Sequence, residues 1–166
     1  MLGKILAEKN IELIYGGGKI GLMGILADAV LEAGGDVTGV IPEFLYALEV
    51  AHDNLTQLVR VKTMHERKAL IHRRSEGVMA LPGGFGTLDE LFEMLTWGQL
   101  GLHKKPVGLL NVNGYFTHIL TAIETMVSEG FLKEINRNMV LQSDTIDDLL
   151  IKMDSYRAPD VKKWII

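Results

Sequence analysis

Two glycine clusters, at 16–18 and 83–86, each follow a short run of Val, Ile, Leu and Ala type residues and precede a stretch of helical period. This pattern constrains the chain more than any other feature, because a strand that turns into a helix over glycines is the building unit of parallel α/β sheets. Residues 11–15 read as a strand ended by Gly16-Gly17-Gly18, and residues 21–33 as a helix with Leu22, Ile25, Leu26, Ala29 and Val30 on one face. Residues 37–41 are the next strand, ended by Pro42; 43–57 is an irregular loop, 58–62 a short strand and 64–75 a polar, basic helix. A strand over 77–81 leads into the second cluster. The helix over 87–99 then takes Thr87 as its N-cap, with Glu90 at the capping-box position. Beyond it lie a strand at 107–110, a helix at 115–128, a short strand at 139–141 and a helix at 144–153.

Apolar strands alternating with helices predict a parallel sheet covered on both faces, an open, doubly wound, Rossmann-like α/β fold. Such sheets bind ligands at the carboxyl ends of their strands, where both glycine clusters fall. A length of 166 residues predicts one domain. With 17 Lys and Arg against 21 Asp and Glu, the chain lacks the basic excess of a nucleic-acid binder. Cysteine is absent, which excludes disulfides, thiolate zinc sites and a Cys nucleophile. No apolar run reaches the roughly 18 residues of a membrane span, and no signal peptide is recognisable, so a cytoplasmic protein is expected.

The segment Gly16-Gly17-Gly18-Lys19-Ile20-Gly21-Leu22-Met23-Gly24 joins a strand to a helix. Glycines there let a phosphate approach the backbone and the helix N-terminus, making Gly16, Gly17, Gly18, Gly21 and Met23 a candidate phosphate loop. A tight turn with close packing is the competing reading, and no ribose-binding carboxylate follows the second strand. Pro82-Gly83-Gly84-Phe85-Gly86-Thr87-Leu88-Asp89-Glu90 has the same geometry and is more specific, though it is not a Walker loop. Glu90 either faces a pocket or caps backbone, and Asp89 and Glu93 read as solvated. Met64-His65-Glu66-Arg67-Lys68 is either a charged, solvated helix face or a way to place Arg67 against a phosphate. The five histidines, His52, His65, His72, His103 and His118, form no metal pattern. Trp97, Leu100 and the eight methionines read as core.

Taken together, these motifs resemble the Lonely Guy family of cytokinin riboside 5′-monophosphate phosphoribohydrolases, from Leu2 to about Leu150. Gly39-Val40-Ile41-Pro42, Thr96-Trp97-Gly98-Gln99-Leu100-Gly101 and Lys105-Pro106-Val107-Gly108-Leu109-Leu110-Asn111 match as well. The resemblance implies hydrolysis of the N-glycosidic bond of AMP or N6-modified AMP, without metal or organic cofactor, in a homodimer. It places the catalytic pair at Arg67 and Glu90, and substrate contacts at Glu49, Arg67, Lys68, Gly83, Gly84, Phe85, Gly86, Thr87 and Thr96. The family's older label is lysine decarboxylase, but no lysine here is identifiable as a pyridoxal anchor. The alternative is a protein of the same superfamily that binds a nucleotide or phosphorylated cofactor without turning it over. Family members begin with a strand and a Cys-Gly-Ser type loop, about 25 to 30 residues that are missing here. The sequence is expected to be a fragment, an incomplete record of a longer chain, or a truly short chain; were the strand really absent, the centre of the sheet would have a gap, and an exposed strand edge recruits partners.

Overall fold

The computed structural model describes residues 1–48 and 51–159. It divides into two compact units, Met1–Ser75 and Glu76–Ile166. The first runs α1 (Leu2–Glu8), β1 (Leu13–Tyr15), α2 (Leu22–Glu32), β2 (Val37–Pro42), α3 (Glu43–Tyr46), β3 (Gln57–Val61) and α4 (Met64–Arg74). Its strands form a parallel sheet in the order β1-β2-β3. Every residue of β2 is buried, as expected of a strand covered on both faces. The core of this unit gathers Leu6, Ala27, Val30 and Val37.

The second unit runs β4 (Val78–Ala80), α5 (Phe85–Gln99), β5 (Val107–Leu110), a 3-10 turn (Val112–Gly114), α6 (Thr117–Ser128), α7 (Glu134–Arg137), β6 (Val140–Ser143) and α8 (Ile146–Ser155). Its parallel sheet has the order β4-β5-β6. All of β5 is buried, and Ala80, Leu91, Met94, Val107, Leu109, Phe116, Ile123 and Val140 form the core. Trp97 packs against that core from its edge. The parallel α/β architecture is as the sequence predicts. Among the described residues, the strands pair as two three-stranded sheets.

Several local expectations need correction. The stretch read as irregular contains α3, set off by extended Pro42 and carrying Glu43 in its first turn, where a carboxylate suits the helix dipole. The Arg60 guanidinium lies 3.9 Å from the Tyr46 ring centroid and pins α3 to β3. On α2 the buried face is Gly24, Ala27 and Val30, whereas Leu22 and Ile25 are 49% and 65% exposed. Close approaches keep this side small: a side chain on Gly3 of α1 would meet the Ala29 and Val30 backbone, and one on Gly24 would meet the Lys19 carbonyl. Leu100 is exposed, as are Met1, Met23, Met64 and Met126, while Met94 and Met139 are core.

Thr87 is not an N-cap. Helix α5 starts at Phe85, with extended Gly84 as its cap and no side chain bonded there. A Thr side-chain cap lies instead at α4, where the Thr63 hydroxyl accepts from the Glu66 amide (3.1 Å) and the Glu66 carboxylate reaches back to the Lys62 amide, one residue before the cap (2.7 Å). Thr63→Ala is expected to cost about 1 kcal/mol in chemical denaturation, the usual worth of such a cap.

Candidate functional site

In the first unit the sheet positions a glycine turn and a guanidinium. Tyr15, the last residue of β1, pairs in register with Gly39 on β2. The chain then turns through Gly17, whose φ of +73° lies in the left-handed region. Its Cα packs so tightly on Gly39 that a Cβ on Gly39 would sit 2.8 Å away. A strap from residues 51 to 54 holds the turn. The His52 amide donates to the Gly17 carbonyl (2.9 Å), and Gly18 bridges Ala51. The buried His52 ring accepts from the Asn54 amide at Nδ1 (3.2 Å), so the proton sits on Nε2 and is donated to Asp28 (2.9 Å). The Tyr15 hydroxyl donates to the Gly18 carbonyl (3.2 Å). Burial first, and the Asp28 charge second, push this phenol above its ordinary range, so it stays a neutral donor.

Arg67 lies one turn beyond the Thr63 cap, its amide bonded to the Thr63 carbonyl (3.1 Å). Its Nε donates to the Val40 carbonyl (3.2 Å) and its Nη1 lies 3.3 Å from Met64 Sδ. Nη2 reaches over Gly16, in the space a Cβ there would take. Of the charged run 64–68, then, Arg67 and Lys68 are half-buried, with Arg67 turned onto the carboxyl end of β1. His65 and Glu66 are exposed. Gly21 and Met23 are exposed at the start of α2, whereas Gly17 and Gly18 are buried in the turn.

In the second unit β4 gives way through Leu81-Pro82-Gly83-Gly84 to α5, a helix of 15 residues. Its first turn carries no acidic side chain, so nothing there opposes an incoming anion. Cβ atoms built on Gly84 and Gly86 would meet nothing within 4 Å, and Phe85 is 94% exposed. The Thr87 hydroxyl lies against Gly83, where a Cβ would collide with it. The Tyr115 hydroxyl donates to the Gly83 carbonyl (2.8 Å).

With α5 starting at Phe85, Glu90 falls in its second turn, four residues beyond Gly86 and on the same face, half-buried. It therefore holds no capping-box position. Thr96 is exposed, with its hydroxyl bonded back to the Phe92 carbonyl (2.7 Å), and lies about 14 Å along the helix from Thr87. Glu49 lies outside the described residues.

The first unit thus brings Gly16 and Gly17 together with Arg67, and the second brings Gly83, Gly84, Gly86 and Thr87 to one helix mouth above Glu90. No motif marks Tyr115, His52 or Tyr15, because each acts through a long-range or backbone contact that no linear pattern encodes. Among the described residues, no group of three or more His, Asp or Glu side chains could hold a metal ion, and no helix is long and apolar enough to cross a membrane.

Residues 23–153 match the family described as "Possible lysine decarboxylase". The cytokinin riboside 5′-monophosphate phosphoribohydrolase LOG of Oryza sativa subsp. japonica is 48% identical over 155 residues, which are 93% of this chain and 64% of the rice protein. An Arabidopsis thaliana protein named as the same activity is 45% identical over 156 residues, 94% of this chain and 68% of its own length. By structure, the chain is similar to the molybdenum cofactor binding protein of Rippkaea orientalis, with a TM-score of 0.70, 22% identity, and coverage of 93% of this chain and 82% of that one. The molybdenum cofactor carrier protein of Chlamydomonas reinhardtii gives a TM-score of 0.62 at 23% identity, with coverage of 91% and 84%. At such identities the likeness establishes the fold. The matched residues and the curated relatives together show that the chain belongs to the possible lysine decarboxylase family, the family that holds the cytokinin riboside 5′-monophosphate phosphoribohydrolases.

Proposed function

We propose that the protein hydrolyses the N-glycosidic bond of AMP or N6-modified AMP, releasing free base and ribose 5-phosphate. The observation that carries this reading is the start of α5. A long helix opens on glycines with clear space around them, has no acid in its first turn, and presents a half-buried carboxylate one turn further on. A 5′-phosphate held on the amides of residues 84–87 fixes the ribose relative to Glu90. Cleavage of the glycosidic bond passes through an oxocarbenium-like transition state, which a nearby carboxylate stabilises. Glu90 serves in that way, or by orienting or deprotonating the attacking water. Arg67 pairs with a substrate oxygen, from the place that Gly16 and Val40 give it. Lys68, Thr96 and Glu49 are proposed as further substrate contacts, and Gly16, Gly17, Gly18, Gly21 and Met23 as a second phosphate loop.

The family description names a decarboxylase, but the curated relatives at 45–48% identity are named hydrolases, and the proposal follows them. A homodimer in the cytoplasm completes the reading; size-exclusion chromatography with light scattering checks the dimer, for which twice 18.4 kDa is expected. Incubation with AMP and with isopentenyl-AMP, followed by chromatography for free base, tests the activity. Base release from either supports it; tight binding of both with no base released supports a binding protein instead.

A further inference from the structure

The Gly83–Gly84 peptide lies between two glycines, the residues that resist a change of φ and ψ least, so this peptide is unusually easy to flip. Its orientation decides what the helix mouth presents. In a trans peptide the carbonyl and the following N–H point in opposite directions, so fixing the Gly83 oxygen also aims the Gly84 N–H. The hydroxyl of Tyr115 bonds that oxygen at 2.8 Å from 32 residues away. The tyrosine is itself held in place. Its amide bonds the Val112 carbonyl (3.1 Å), and its ring meets Phe116 edge-on with centroids 5.2 Å apart. Phe116 is fully buried, and its amide donates to Asn111 Oδ1 (2.6 Å).

We propose that Tyr115 is a positioning residue for the phosphate site: its hydroxyl holds the Gly83 carbonyl back, keeping the Gly84 N–H turned toward the 5′-phosphate. With the latch removed, the peptide samples the flipped state, in which a carbonyl oxygen faces the anion. This inference rests on the proposal that α5 binds a phosphate. It adds the residue that keeps the site pre-organised, which matters because a donor fixed beforehand has no reorganisation to undergo on binding.

Tyr115→Phe removes one oxygen from a side chain that is 52% exposed, so the fold is expected to survive, with Tm within a few degrees of the parent. Calorimetric titration of both proteins with AMP and with adenosine tests the inference. The parent is expected to bind AMP more tightly than adenosine. Tyr115→Phe is expected to bind AMP about tenfold more weakly, the loss of much of one hydrogen bond to a charged group, and adenosine as before. Unchanged AMP affinity in the folded variant overturns the latch and leaves the phosphate site standing. An equal loss for AMP and adenosine reduces Tyr115 to a purely structural role, which also overturns it. If the parent itself binds AMP no better than adenosine, the phosphate site falls and the latch with it.

Discussion

Glu90→Gln is expected to fold like the parent and to lose about 10²-fold or more in kcat, measured as base released from AMP. The substitution keeps shape and size and removes only the charge. Glu90 sits in the second turn of α5, outside any capping box, so the substitution leaves the start of the helix as it is. What the amide cannot do is stabilise a developing oxocarbenium ion or take a proton from water. The variant should therefore retain its affinity for AMP while turnover collapses, which separates a role in chemistry from one in binding. Near-normal turnover in a folded Glu90→Gln protein would remove Glu90 from the mechanism.

Gly16→Ala is the second substitution with a large expected effect, because of where Arg67 stands. The new methyl would occupy the space of the Arg67 Nη2 atom. That atom is the far end of a flexible side chain, so the protein need not unfold; the guanidinium swings aside and strains its bond to the Val40 carbonyl. Displacing a positioning group by an ångström or so can cost 10²-fold, so kcat/KM for AMP should fall by about that much, with Tm changed by only a few degrees. Arg67→Ala should lose at least as much. The double variant should be no worse than Arg67→Ala alone, since both changes act through one guanidinium. Additive losses would mean that Gly16 acts by some route other than Arg67.

The order of strands and helices was legible because the apolar runs of β2 and β5 are buried along their whole length, and such runs between glycine turns have few other homes. Both glycine turns were legible for the same reason. The helical turns of three or four residues, α3, α7 and the turn at Val112–Gly114, are not legible, since they are too short to show a helical period. The packed face of α2 departs from the apolar pattern because apolarity picks out Leu22 and Ile25, while α1 packs closely on Ala29 and Val30 and the Lys19 backbone leaves no room for a side chain at Gly24. Thr87 and Thr63 each stand three residues before a glutamate, and spacing alone cannot say which pair caps a helix. At α5 the glycine loop takes over that role, and Glu90 falls in the second turn. The Tyr115 latch on Gly83 joins two motifs that nothing in the linear pattern connects.

Base release from AMP and from adenosine, followed side by side with the parent protein, bears most directly on the proposed hydrolase. If α5 anchors a 5′-phosphate and Glu90 assists departure of the base, AMP should be cleaved at least about 10²-fold more efficiently than adenosine in kcat/KM, since the phosphate supplies the binding energy that orients the ribose. Equal cleavage of the two, or tight binding of AMP with no base released, would contradict that mechanism.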